Sequence, residues 1–213
     1  MEVGISRMHF PVTALGPGNR LGVWFQGCSI QCPGCISRDT WEFGTGLVEI
    51  ELLLAHIAAY ADADGLTVSG GEPFDQPEAL CRLLKHWREV SSGTVLVFTG
   101  FELADVAPWL KANPGLVDAL VTGRYRSEVP QTKALRGSDN QRLVLLTDEA
   151  MAFAAYDQKA DSADRRLDVM FDQDGDAWFA GIPARGAMGR LRRALATSGH
   201  AAETSDMRIE QHK

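Results

Sequence analysis

Long apolar runs are missing from this chain of 213 residues. None approaches the roughly 18 residues that a membrane span requires. The opening Met1-Glu2-Val3-Gly4 has no basic region followed by an apolar one, so neither insertion nor secretion is expected and a cytoplasmic location is the default. Basic residues are in the minority: Lys and Arg number 21 against 28 Asp and Glu, and the net charge of −7 argues against a chain that holds nucleic acid by neutralising its phosphates. The densest basic group, Arg185, Arg190, Arg192 and Arg193, has the spacing of a solvated helix face. Cysteine is scarce as well. Four cysteines are too few for a disulfide scaffold in a chain this long, and three of them fall within eight residues, which suits a metal site or redox chemistry better than a staple.

What is present is enough for a sizeable core. With 45% hydrophobic and 23% charged residues the chain is globular rather than disordered, and its length suits one domain with an appendage. Short apolar segments at 20–26, 65–69, 94–98, 116–121 and 141–146 read as strands, and 48–60, 102–111 and a segment beginning at Thr147-Asp148-Glu149 read as helices. Asp75-Gln76-Pro77-Glu78 has the form of a helix start, with Asp75 as the capping residue, and that helix continues through Leu80, Leu83, Leu84 and Trp87. Strands that alternate with helices and are buried on both faces predict an α/β fold with a parallel sheet, open or partly closed into a barrel. After Ala160 the pattern changes to a β-hairpin, 168–171 and 177–180, joined by an Asp-Gly turn within 172–176, and then to a helix over 186–197. The expected organisation is a core domain at 1–160, an appended hairpin and helix at 161–197, and a flexible tail at 198–213.

The chemistry concentrates in Cys28-Ser29-Ile30-Gln31-Cys32-Pro33-Gly34-Cys35, placed in a loop at the end of a strand. Three thiolates on one loop suit an iron–sulfur cluster or zinc, because soft ligands select these over hard cations. No fourth ligand is evident. Cys81 sits in the Leu80-Cys81-Arg82-Leu83-Leu84 helix and reads as a small apolar packing residue, and His9, His56, His86, His200 and His212 are scattered. A cubane held by three cysteines keeps one iron open to a substrate or cofactor.

The spacing Cys28-x3-Cys32-x2-Cys35, followed after a helix and a strand by Gly70-Gly71-Glu72-Pro73, resembles the radical S-adenosylmethionine (SAM) superfamily. Further matches narrow the resemblance. Gly16-Pro17-Gly18-x-Arg20, Trp24-Phe25-Gln26-Gly27, Thr40-Trp41, Thr99-Gly100 and Gly137-Ser138-x-Asn140-Gln141-Arg142 are similar to the activating enzymes of glycyl radical enzymes, above all to the activators of anaerobic ribonucleotide reductase. Ile36 and Ser37 depart from the aromatic residue and asparagine usual there, and Val121-Thr122-Gly123 lacks an expected aspartate.

The resemblance implies a partial (β/α)6-type radical SAM barrel of parallel strands with a C-terminal β-hairpin and helix. It implies a [4Fe-4S] cluster on Cys28, Cys32 and Cys35, with SAM chelated at the open iron and contacted by Gly34, Cys35, Ile36, Gly70, Gly71, Glu72, Thr99 and Gly100. An electron from a flavodoxin or ferredoxin would cleave SAM to a 5′-deoxyadenosyl radical, which would take hydrogen from a backbone glycine of a partner enzyme. No side-chain acid or base is then needed, and Glu72 would orient SAM or its loop. Two other readings stay open from the residues: a radical SAM enzyme acting on a peptide, a small molecule or a tRNA base, and a structural zinc or electron-carrier module. In the first of these, Gly181-Ile182-Pro183 after the hairpin would narrow the active site or cap a sheet edge.

Overall fold

A computed structural model describes residues 1–171 and 177–200; the expected turn at 172–176 and residues 201–213 of the expected tail lie outside the described residues. The centre is a seven-stranded mixed sheet. In chain order its elements are β1 (Glu2–Val12), β2 (Arg20–Phe25), β3 (Leu47–Glu49), α1 (Ile50–Ala58), β4 (Gly65–Gly70), α2 (Pro77–Val90), β5 (Thr94–Phe98), α3 (Leu103–Ala112), β6 (Ala119–Thr122) and β7 (Arg142–Leu145). The spatial order is β3-β1-β2-β4-β5-β6-β7. Strands β2, β4, β5 and β6 run parallel, β1 and β7 flank them antiparallel, and β3 pairs antiparallel with β1 at the outer edge. A separate hairpin of β8 (Asp168–Phe171) and β9 (Ala177–Ala180) is followed by α4 (Ala187–Thr197).

Alternation along the parallel strands sorts the core into two clusters. Leu21, Val23, Phe25, Leu66, Val68, Val95, Val97 and Leu120 face the helices, whose Leu53, Ile57, Leu80, Leu84, Trp87 and Val106 pack on them. Trp24, Leu96, Ala119 and Val121 face the other way and are covered by Phe153, Ala150, Met170 and Ala180. Burial on both faces gives these strands their nearly continuous apolar character. Helix α2 presents Leu80, Leu83, Leu84 and Trp87 to the sheet at helical spacing, so its apolar stripe is continuous. Arg20 is fully buried and staples three strands: its guanidinium donates to Thr67 Oγ1 at 2.7 Å, the Leu66 carbonyl at 2.8 Å and the Thr94 carbonyl at 2.7 Å.

Several local expectations are corrected. Strand β1 is absent from the sequence reading because its eleven residues mix polar and half-buried positions without clean alternation. The 48–60 helix begins at Ile50, its first residues being taken by β3. Strand β7 is antiparallel to β6, since the 123–141 connection has no helix to carry the chain back across the sheet. The segment after Thr147 is a 3-10 helix, Glu149–Asp157. The residue preceding α2 is Gln76 rather than Asp75, and it makes no side-chain cap: its amide bonds Gly4 and Gln26, and the Asp75 carboxylate is taken by Ser29.

Candidate functional site

Four parallel strands end on one rim, at Phe25, Gly70, Phe98 and Thr122. The cysteine loop leaves the first of these ends, Gly70-Gly71-Glu72 the second, and Thr99-Gly100 the third, so the segments singled out in sequence meet where open α/β sheets place their ligands. The first two segments are stitched together by backbone. Gly71 N–H donates to the Phe25 carbonyl and Glu72 N–H to the Gly27 carbonyl, both at 2.8 Å, while Cys28 N–H donates to the Trp41 carbonyl at 3.1 Å. A Cβ at Gly71 would stand 2.1 Å from the Gly27 oxygen and 2.8 Å from the Thr40 oxygen. The close approach that Gly71 permits is therefore to the chain's own cysteine loop. Asp75 completes the clamp: its carboxylate accepts from Ser29 N–H at 2.7 Å and from Ser29 Oγ–H at 2.8 Å.

These elements enclose a cavity of about 480 Å³. Cys28, Cys32 and Cys35 line it, and so do Gly34, Ile36, Gly70, Gly71, Glu72, Thr99 and Gly100. The volume lies in the range of sites that take ligands of several hundred daltons. All three thiols are unpaired, Cys28 buried and the other two half-buried. Burial pushes the Cys28 thiol up, and pushes Cys35 up to about 11 with help from the neighbouring sulfurs, so a bound cation is what would ionise them. Among the described residues no group of three or more His, Cys, Asp or Glu is gathered tightly enough to hold a metal ion. Three free soft donors beside open backbone fit a cluster that leaves one iron to another ligand.

Glu72 is the organising node. Its carboxylate accepts from Phe74 N–H at 3.0 Å, Thr99 Oγ1–H at 2.8 Å and Gly100 N–H at 2.8 Å, which ties the ends of β4 and β5 together. Burial raises its pKa to about 7 against the opposing pull of these three donors. Both oxygens are engaged by the protein itself.

The remaining residues sort cleanly. None of the histidines is among the described residues lining the cavity, and Cys81 is not either; its thiol donates to Asn113 Oδ1 at 3.1 Å. Trp41 and Phe98 form part of the cavity wall, while Trp24 is core. The sequence reading missed Tyr125, Gln131 and Arg185, which line the same cavity. Arg185 is not on a solvated helix face: it precedes α4 and its guanidinium holds the 126–137 loop. Isolated polar residues in irregular segments carry no local spacing that could have announced this role.

Residues 14–144 match the 4Fe-4S single cluster domain family. The chain belongs to that family. It is 31% identical over 140 residues to the anaerobic ribonucleoside-triphosphate reductase-activating protein of Enterobacteria phage T4, an alignment covering 62% of this chain and 88% of the phage protein. The protein of the same name from Salmonella typhi is 26% identical over 143 residues, covering 62% of this chain and 93% of its own. The pyruvate formate-lyase-activating enzyme of Clostridium pasteurianum is 38% identical over 102 residues, covering 45% of this chain and 43% of that enzyme. Membership of this family brings with it the radical SAM resemblance that the motifs carry.

Proposed function

We propose that this chain is a radical SAM activating enzyme that installs a glycyl radical on a partner enzyme of the anaerobic ribonucleotide reductase kind. The observation that carries this reading is the meeting of three free cysteines, Gly70-Gly71-Glu72 and Thr99-Gly100 in one cavity, within a chain of the 4Fe-4S single cluster family. Cys28, Cys32 and Cys35 would hold the [4Fe-4S] cluster, and SAM would bind beside it in the same cavity. When bound, the cluster supplies the electron that splits SAM into methionine and a 5′-deoxyadenosyl radical, which takes a hydrogen atom from the partner's glycine.

The protein's own part is to bind, orient and exclude water. Gly34, Cys35 and Ile36 flank the adenine side, and Gly70, Gly71, Thr99 and Gly100 offer backbone and hydroxyl groups to the amino acid end. Glu72 holds those two strand ends in register through its three hydrogen bonds, and no proton transfer is assigned to it. Trp41 and Phe98 supply apolar wall to the cavity. A low-potential carrier such as flavodoxin or ferredoxin is the proposed reductant.

The four parallel strands, with the α-helices α1, α2 and α3 on one face, are read as a partial (β/α)6 barrel whose missing units are replaced by antiparallel pairings. Residues 1–160 form the radical SAM core in this reading, and 161–197 the appended unit. No helix among the described residues is long and apolar enough to cross a membrane, and a cytoplasmic location is proposed with the activity.

The test is anaerobic reconstitution with iron and sulfide, followed by SAM and dithionite, with 5′-deoxyadenosine quantified by chromatography. Wild type binds about four irons per chain and releases the nucleoside, and Cys32→Ala does neither. Zinc in place of iron, with no nucleoside from wild type, sinks the proposal.

A further inference from the structure

The stretch shared with the family ends at residue 144, yet the chain beyond it returns to the cavity. Leaving β9 at Ala180, it runs through 181–189 into the first turn of α4, and every one of these nine residues lines the same space as the cysteines. The strap is fastened in two places. Upstream, the Asp168 carboxylate accepts from Thr13 N–H at 2.7 Å, Thr13 Oγ1–H at 2.7 Å and Ala14 N–H at 2.9 Å, which fixes the hairpin just beyond the end of β1. Within the strap, Gln131 works in both directions, its Nε2 donating to the Pro183 carbonyl at 3.1 Å and its Oε1 accepting from Arg185 N–H at 3.2 Å. The Arg185 guanidinium donates to the carbonyls of Ser127 at 2.6 Å, Arg126 at 3.1 Å, Gly137 at 3.4 Å and Val129, and lies 5.8 Å from the Tyr125 ring centroid. Four carbonyl acceptors gathered on one planar cation form a latch, and among the described residues no carboxylate is paired with it.

We propose that residues 181–189 are a wall that this chain adds to the family's cavity, and that Arg185 is the positioning residue that latches it, setting the width of the route to bound SAM. The proposal rests on the radical SAM reading of the cavity. Its lining says what the route discriminates against. Glu72 and Arg185 are the charged side chains among the described lining residues, and each is already engaged by internal hydrogen bonds. No charge remains free to hold a phosphate or carboxylate. Three of the nine strap residues are glycine and five others are alanine, isoleucine, proline or methionine, so apart from Arg185 the wall is uncharged and mostly without bulky side chains.

The experiment compares wild type, Arg185→Ala and Arg185→Lys. Hydrogen exchange by mass spectrometry is read first on the purified protein without cluster or SAM. Arg185→Ala is expected to exchange the 181–189 amides at least about tenfold faster, since even one lost charged hydrogen bond is worth that much, while 65–70 and 94–98 keep their protection. Arg185→Lys falls between, since an ammonium reaches fewer of the carbonyls. In the reconstituted enzyme with SAM and dithionite, Arg185→Ala raises the KM for SAM several-fold and keeps kcat, with partial rescue by Arg185→Lys. Unchanged exchange at 181–189, faster exchange throughout the sheet, or a fall in kcat with KM unmoved overturns the wall. Faster strap exchange in Arg185→Ala together with a wild type that releases no 5′-deoxyadenosine supports the wall and removes the radical chemistry instead.

Discussion

Glu72 offers the sharpest test of how the rim is held together. Burial raises its pKa from the ordinary 4.5 to about 7, so the stability that this group contributes is fully present below pH 4.5 and is lost as the pH rises through 7. Between pH 5 and pH 8 the linkage relation makes that loss about 2–3 kcal/mol for a shift of this size. Glu72→Gln removes the titration but also one acceptor. An amide carries a single oxygen, and its NH2 must face either Gly100 N–H or the pair Phe74 N–H and Thr99 Oγ1. At pH 5 the variant is therefore less stable than wild type by about 1–3 kcal/mol, the cost of an unmet buried donor. By pH 8 the two converge, because wild type has lost what the variant never had. Urea unfolding followed by the fluorescence of the buried Trp24 and Trp87 measures both differences. Taking wild type minus variant at each pH cancels the titration of the cysteines. A gap of the same size at pH 5 and pH 8 would refute the argument, since the carboxyl would then not be titrating in this window.

Other outcomes follow from the same geometry. Gly71→Ala puts a methyl group 2.1 Å from the Gly27 oxygen, so thermal melting should show a loss above about 3 kcal/mol, whereas Gly115→Ala, with open space around it, costs about 1 kcal/mol for its positive φ alone. Asp75→Ala leaves Ser29 N–H and Oγ–H without their acceptor; iron content after reconstitution should fall while the helix content by circular dichroism stays within error. Cys81→Ala should keep full iron content and lose less than about 1.5 kcal/mol in urea unfolding, because its thiol meets only Asn113 and neighbouring core.

Much of the site was legible because its grammar is local. Cys28, Cys32 and Cys35 lie on one loop whose spacing is covalent, and Gly70-Gly71-Glu72 and Thr99-Gly100 each close a strand of unmistakable apolar character. Buried parallel strands need no partner to be recognised, since their composition follows from being covered on both faces. The hairpin strands and α4 were read for similar reasons. Asp75 shows where this fails. Its place before Pro77 is that of a helix cap, yet Ser29, 46 residues upstream, takes both of its oxygens. Strand β1 and the antiparallel β7 likewise depend on neighbours supplied by distant chain.

The sequence alone thus determined the spacing of the three cysteines, the order of the strand-end motifs and the two-faced burial of the sheet, because each is written in residues near one another in the chain. The tertiary structure alone decided that Glu72 ties two strands rather than facing outward, that Gly71 makes room for the cysteine loop, and that 181–189 closes the cavity through Arg185 and Gln131. Those contacts join residues 28 to 59 positions apart, and a hydrogen bond between such partners leaves no periodic trace in either segment.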